Sequence, residues 1–292
     1  MRSFFVFHPA ALFLYFAPVI FIAMFVSNPI ITFISLCASV SLYAVIKKER
    51  FLNEILFFFV MFVLIAIVNP LFSHNGSTPL FFLNGNPITL EATVYGVCTS
   101  AMIISVIFWF KSFSLIMTSE KLLYLFGGAL PGLSVILTAA LRYVPLLRKQ
   151  TVRISEAQKA MGMYPEDSFT NRIKSVIRVF SVSVTWSLEN AIDTADSMRA
   201  RGYGLEGRSR FLVYRFSKKD LYLTALCVIF ATAAVAGISL SYTGFTFYPV
   251  LSRVQFSAYS VITYSAYALL SFLPLFYYIK EKIKWRCLKS KI

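Results

Sequence analysis

Two short clusters of small and basic residues are the parts of this sequence best suited to binding another molecule. Arg201 stands between Ala200 and Gly202, where small neighbours let a partner approach closely while the guanidinium presents a rigid fork of donors. Arg199 adds a second positive charge. The earlier cluster consists of Lys159, Ala160, Met161 and Gly162. Either cluster alone suits an ordinary helix end, but two in one basic segment favour docking onto an acidic or carbonyl-rich surface.

Acidic residues provide the best candidate for an enzyme site. Glu189, Asp193 and Asp196 recur at about one helical turn, so they could share one face and act on a lipid at the cytoplasmic membrane surface. A solvated helix face, whose carboxylates pair with Arg199 or Lys174, is the simpler interpretation, and we favour it. A membrane-integral enzyme acting on a lipid therefore stays the competing hypothesis.

Cofactor and nucleotide sites have little support in the sequence. Gly202, Gly204 and Gly207 match a dinucleotide-binding glycine pattern, but that pattern follows a β-strand, whereas a helix precedes it here. His8 and His74 are isolated, and the cysteines lack the paired spacing of a metal or redox site. We therefore expect no cofactor, no metal and no ATP hydrolysis by this chain.

A long amphipathic helix from Ile173 to Gly204 is predicted to carry the Arg201 cluster at its end. Apolar residues recur every three or four positions and form one stripe. The stripe consists of Ile173, Val176, Ile177, Phe180, Val184, Leu188, Ile192 and Ala195. Gly202 is a typical terminator, and basic residues occupy the last turn. Such a helix requires a membrane or protein surface for its stripe and an acidic partner for its end.

The composition indicates that this helix belongs to an integral membrane protein. The 292 residues are 58% hydrophobic and only 14% charged, with mean hydropathy +0.71. Six segments are apolar and long enough to cross a bilayer: Ala10–Val26, Ile30–Ile46, Phe51–Val68, Leu90–Phe110, Leu221–Tyr242 and Phe256–Ile279. Glu91, in the first turn of the fourth segment, is expected to interact with the helix dipole rather than to bind an ion.

The positive charge follows the rule that basic loops stay in the cytoplasm. Lys111–Lys219 contains 17 of the 28 Lys and Arg residues, and only Arg253 falls in a predicted outer loop, so both termini are expected to be cytoplasmic. The net charge of +15 is thereby explained by topology and attraction to the membrane surface, and nucleic-acid binding is not expected. Tryptophans beside basic residues near the cytoplasmic borders favour interfacial anchoring: Trp109, Trp186 and Trp285.

These observations predict an all-α integral membrane protein with about six transmembrane helices and a cytoplasmic block of long amphipathic helices. Residues 1–111 form a membrane domain of about four spans, 112–219 the cytoplasmic block, and 220–292 a two-span hairpin with a basic tail. Leu122–Leu147 is apolar but interrupted by glycines and Pro131. A single crossing there would violate the charge rule, so we expect a helix or helix pair at the cytoplasmic membrane surface, with a shallow re-entrant path as the alternative.

The sequence resembles the transmembrane T component of energy-coupling factor (ECF) transporters, which import vitamins and transition-metal ions. Ala200-Arg201-Gly202 is similar to the second Ala-Arg-Gly signature of that family, and Ala160-Met161-Gly162 stands where the first is expected, with methionine in place of arginine. Asn69-Pro70-Leu71-Phe72, Gly85-Asn86-Pro87-Ile88-Thr89 and Arg142-Tyr143-Val144-Pro145 also resemble family segments. The similarity covers most of the chain.

The resemblance implies a non-catalytic subunit in the bacterial cell membrane. Its partners would be two cytosolic ABC ATPases, which hydrolyse ATP, and a separate small membrane protein that captures the substrate. The two clusters would dock into the ATPases. The coupling helices would hold the substrate-binding subunit, here through Ile173, Ile177, Phe180, Val184 and Leu188. A self-sufficient secondary transporter is a further alternative.

Overall fold

A computed structural model describes residues 7–47, 51–73, 75–83, 86–127, 131–162, 169–205, 214, 216–254 and 256–289. The chain divides into two compact units. The first unit, residues 1–121 and 214–292, is called the membrane unit below. The second, residues 122–213, is called the α6–α7 unit. His74 and Gly207, considered above as candidate metal and nucleotide residues, lie outside the described residues.

Helices dominate the described part of the chain. In order, the elements are α1 Pro9–Phe25, α2 Pro29–Ile46, α3 Phe51–Phe72, β1 Pro79–Leu83, β2 Asn86–Thr89, α4 Leu90–Ile116, α5 Ser119–Gly127, α6 Pro131–Ala160, α7 Phe169–Ala200, α8 Lys218–Ser239 and α9 Ala258–Lys289. Five helices, α2, α3, α4, α8 and α9, are long and apolar enough to cross a membrane. The shorter α1, with 17 residues, is apolar as well. The predicted all-α membrane fold is therefore confirmed.

The core of the membrane unit forms where α4 packs against α1, α2 and α3, and where α9 packs against α8 and α2. Trp109 of α4 is fully buried, and its indole nitrogen donates a hydrogen bond to Ser35 Oγ at 3.0 Å. The interfacial position predicted for Trp109 is therefore wrong. Burial between helices, with one hydroxyl to accept the N–H, suits its large ring better than the membrane boundary.

The connection between α3 and α4 contains a feature that a purely helical prediction omits. The strands β1 and β2 pair as an antiparallel hairpin. Behind them the buried Glu91 carboxylate accepts hydrogen bonds from Ser77 Oγ at 3.1 Å and Thr78 Oγ1 at 2.9 Å, and from both backbone nitrogens. Gly76 has a φ of 135°, and a Cβ there would lie 2.6 Å from the carboxylate. Glu91 therefore holds the hairpin against the start of α4, in addition to lying near the helix dipole.

A charged cluster joins three helices at the other end of the membrane unit. Glu54 of α3 accepts hydrogen bonds from Lys47, Lys111 and Tyr43. The Lys111 ammonium also lies 4.6 Å from the centre of the Phe58 ring, a cation–π contact. The hydrogen bond to Glu54 raises the pKa of Lys47 above its ordinary value. Because these residues come from separate helices, the cluster ties the ends of α2, α3 and α4 together.

The ambiguous segment Leu122–Leu147 folds as parts of two helices. It starts within α5 and continues into α6, which begins at Pro131 and contains Pro145. Proline at the first position of a helix loses no hydrogen bond, so the start of α6 agrees with its sequence. A position at the membrane surface stays a prediction.

Candidate functional site

The amphipathic helix predicted from Ile173 to Gly204 is confirmed as one continuous helix, α7, which begins earlier, at Phe169, and ends at Ala200. Its buried side is narrow and largely polar, consisting of Ser175, Val179 and Ser183. Its apolar stripe is uncovered: Phe180 is 67% exposed and Leu188 is 62% exposed, and the other stripe residues proposed for a subunit interface, Ile173, Ile177 and Val184, are exposed too. Exposed apolar surface of this extent marks a region that contacts a membrane or another protein.

Side-chain hydroxyl groups hold α7 against α6. Thr151 Oγ1 and Ser183 Oγ lie 3.3 Å apart, and the Tyr143 hydroxyl donates to the carbonyl of Asn190 at 3.1 Å while lying 2.6 Å from Thr194 Oγ1. These contacts run in opposite directions along the two helices. Tyr143 precedes Thr151 in α6, whereas its partner Thr194 follows Ser183, the partner of Thr151, in α7. The two helices are therefore antiparallel.

A groove of about 620 Å³ runs between the two helices. Four stripe residues line it on the α7 side, namely Val176, Phe180, Val184 and Leu188. Leu147, Val152 and Lys159 contribute from α6. The exposed stripe is thus continuous with a shallow apolar channel, a shape that accommodates a helix or other apolar element of a partner.

The end of α7 has a well-defined cap. Gly202 takes a φ of 79°, its N–H donates to the Arg199 carbonyl at 2.9 Å, and the Tyr203 N–H donates to the Met198 carbonyl at 3.0 Å. This pair of bonds is a Schellman cap, and it requires the left-handed backbone that glycine adopts without strain. The cap therefore ends α7 at Ala200 and leaves the Arg201 side chain exposed beside the helix end.

The end of α6 repeats this geometry at the earlier cluster. Gly162 takes a φ of 70°, and its N–H donates to the Lys159 carbonyl at 3.0 Å, the bond equivalent to that between Gly202 and Arg199. Ala160 and Met161 occupy the positions of Ala200 and Arg201, and Met161 is 62% exposed. The two predicted docking clusters therefore share one backbone arrangement and differ in the exposed side chain beside the glycine.

The two capped ends lie far apart. Measured from the Thr151–Ser183 contact, Ala160 is about 14 Å along α6 and Ala200 is about 26 Å along α7, at the axial rise of an α-helix. Because the helices are antiparallel, these distances extend in opposite directions. A single small protein domain is about 30 Å across, so the two ends present two separate contact surfaces.

The acidic residues considered for catalysis do not form an enclosed site. Glu189, Asp193 and Asp196 are all exposed on α7. Asp196 lies 3.9 Å from Arg199, and both side chains are more than two-thirds exposed, so this pair contributes little to stability. Within the described ranges, no group of three or more His, Cys, Asp or Glu residues could hold a metal ion. This geometry fits a solvated helix face.

Fold and site together define a multi-pass helical membrane protein that carries a pair of long antiparallel helices with basic, glycine-capped ends. The family model described as "Cobalt transport protein" (CbiQ) matches residues 3–211, a region that includes both helix ends. The chain belongs to this family.

Curated relatives agree with this assignment. Three are named energy-coupling factor transporter transmembrane protein EcfT. That of Listeria innocua is 30% identical over 192 residues, covering 60% of this chain and 69% of the relative. The Lactococcus lactis protein is 28% identical over 171 residues, which cover 51% of this chain and 64% of the relative. The Bacillus selenitireducens protein is 35% identical over 106 residues, 36% of this chain and 40% of its own length. The resemblance to the T component of ECF transporters is confirmed.

Proposed function

We propose that this chain is the energy-coupling transmembrane subunit of an ECF-type ABC importer. It transmits the ATP-driven motion of two cytosolic ATPases to a separate membrane subunit that binds a vitamin or a metal ion. The chain itself catalyses no reaction. Choice of substrate belongs to the substrate-binding subunit.

The observation that carries the proposal is the pairing of two equivalent capped ends on antiparallel helices. Each end exposes a side chain beside a left-handed glycine, with a basic residue at the preceding turn. Two ATPases need two such surfaces. At the α7 end the contacts are Ala200, Arg201 and Gly202, with Arg199. At the α6 end they are Ala160, Met161 and Gly162, with Lys159.

Docking of Arg201 is the stronger of the two contacts. A guanidinium that enters an ATPase groove forms charge-assisted hydrogen bonds worth roughly 1.5 to 3 kcal/mol each. Met161 supplies an apolar contact instead, and Lys159 supplies the charge. This arrangement implies unequal ATPase contacts at the two ends.

The substrate-binding subunit occupies the apolar stripe of α7. Ile173, Ile177, Phe180, Val184 and Leu188 are exposed in this chain, and burying one such side chain gains about 1.5 to 3 kcal/mol. Both chain termini and the α6–α7 unit face the cytoplasm in this arrangement, in keeping with the clustered Lys and Arg residues.

The proposal is tested by reversing the charge of Arg201. The chain is co-expressed with its two ATPases and a substrate-binding subunit, purified through a tag on the chain, and assayed for uptake in liposomes. Arg201→Glu should lower recovery of the ATPases and uptake by at least tenfold. Arg178→Glu serves as the matched control, because Arg178 is exposed on the same helix, about six turns before its capped end.

Unchanged ATPase recovery and wild-type uptake with Arg201→Glu would contradict docking at this end. Uptake by the chain alone, reconstituted without ATPases, would instead identify a self-sufficient transporter. Loss of activity after simultaneous alanine substitution of Glu189, Asp193 and Asp196, with the complex intact, would favour the enzyme hypothesis.

A further inference from the structure

A groove between α8 and α9 in the membrane unit combines positive charge with apolar surface. Its volume is about 610 Å³. Lysines surround one end of it, and aliphatic and aromatic side chains form the rest. It lies outside the α6–α7 unit and takes no part in the function proposed above.

The charged end contains four exposed lysines. Lys218 and Lys219 begin α8, while Lys280 and Lys284 stand one turn apart near the end of α9. One carboxylate, Glu281, also lines the groove, so four positive charges against one negative leave a net +3. In the ion pairs formed by described residues, none of the four lysines takes part.

The position of Lys218 and Lys219 is not explained by helix stability. The amino-terminal end of a helix carries a partial positive charge, so cations there are unfavourable, whereas Lys280 and Lys284 near the end of α9 are favourable. Asp220 and Ser217 already cap α8 through reciprocal hydrogen bonds. The topological rule favours cations on this side of the membrane but not at this helix end, and their position there suits a negatively charged ligand.

The apolar part of the groove belongs to the membrane-spanning segments. Tyr222 and Leu226 lie in the span Lys218–Ser239, and Leu273 and Phe276 lie in the span Ala258–Lys284. Tyr222 and Phe276 are exposed. The lysines therefore stand at the water boundary of the bilayer, with the apolar surface directed into the hydrocarbon.

We propose that this groove binds an anionic phospholipid, with its phosphate among the four lysines and one acyl chain along Leu226 and Phe276. Basic pockets between transmembrane helices at the membrane boundary suit anionic headgroups. A free phosphate would use only the charged end. An acidic protein surface would leave the apolar part, which lies at bilayer depth, without a contact.

The test uses the full chain, purified in detergent, and native mass spectrometry with added phosphatidylglycerol or phosphatidylcholine of the same acyl chains. Wild type should retain phosphatidylglycerol preferentially. Lys218→Gln with Lys284→Gln should lower this preference roughly tenfold, since each lysine near an anionic lipid contributes severalfold to affinity. Arginine at the same two positions should preserve it. Lys174→Gln with Lys282→Gln removes the same charge outside the groove and should change the preference less than about twofold.

Three results would overturn the proposal. The first is an unchanged preference in the Lys218→Gln, Lys284→Gln variant, or an equal loss in the control variant. The second is displacement of phosphatidylglycerol by millimolar inorganic phosphate, which would identify a free-phosphate site. The third is equal retention of phosphatidylglycerol and phosphatidylcholine by wild type, which would show that the lysines select no anionic headgroup. If the double variant is not monodisperse, each single glutamine variant should show a severalfold effect.

Discussion

The ends of α6 and α7 have the same backbone and different chemistry. Both close on a glycine in the left-handed region, Gly162 and Gly202, and both place alanine two residues before it. The exposed residue between them is Met161 in one and Arg201 in the other. The comparison teaches that glycine and alanine determine the shape of such an end, while the single residue between them determines the chemistry that the end offers to the proposed ATPase partner.

The largest difference between the two ends is expected when each receives the same negative charge. Arg201→Glu removes charge-assisted hydrogen bonds and introduces repulsion, so ATPase affinity should fall about 100-fold at 1.4 kcal/mol per factor of ten. Met161→Glu loses only an apolar contact and should cost severalfold. Titration of the purified ATPases onto each variant measures both values. Equal losses at the two ends would contradict the unequal roles assigned to them.

A second experiment adds an arginine at the α6 end and measures whether ATPase affinity increases. Met161→Arg places a guanidinium at the α6 end on the same cap, so ATPase affinity should rise about tenfold if the facing ATPase surface has acceptors. Met161→Leu conserves the apolar contact and serves as the control. No gain from the arginine would mean that the ATPase surface at the α6 end is apolar.

The two caps should respond alike to loss of glycine. Valine in a left-handed backbone costs at least about 1 to 2 kcal/mol, so Gly162→Val and Gly202→Val should each destabilise the chain by a similar amount. Thermal unfolding followed by circular dichroism measures this. Only Gly202→Val should also weaken ATPase binding severalfold, because it redirects Arg201. Similar binding losses for both would show that the cap, rather than the arginine, dominates docking.

The smallest effect concerns the contact that sets the spacing of the two ends. Tyr143→Phe removes the hydroxyl that contacts Asn190 and Thr194, a loss of roughly 0.5 to 1.5 kcal/mol. The midpoint of thermal unfolding should fall by a few degrees. Tyr259→Phe, at an exposed position of α9, is the control and should leave the midpoint unchanged.

Local patterns made much of this protein predictable. The period of the apolar stripe predicted α7, the glycines predicted where α6 and α7 end, and the apolar segments predicted the membrane helices, because each of these features depends on neighbours along the chain. The similar signatures Ala160-Met161-Gly162 and Ala200-Arg201-Gly202 identified the candidate site for the same reason.

Contacts between distant residues could not be predicted in this way. Trp109 lies next to Lys111, which suggested a membrane border, whereas its actual partner Ser35 comes from another helix. Glu54 and Glu91 each have partners on other segments, and neither set shows a helical period. The antiparallel pairing of α6 and α7 likewise depends on Tyr143 and Thr151 meeting residues far along the chain.

The contact between Thr151 and Ser183 lies closer to the end of α6 than to the end of α7. If the helices pivot there as rigid rods by about 10°, the Arg201 tip travels about 4 to 5 Å and the Met161 tip about 2 to 3 Å, given their axial distances from the pivot. In the proposed complex, one movement of the ATPases would therefore displace the two ends by different amounts.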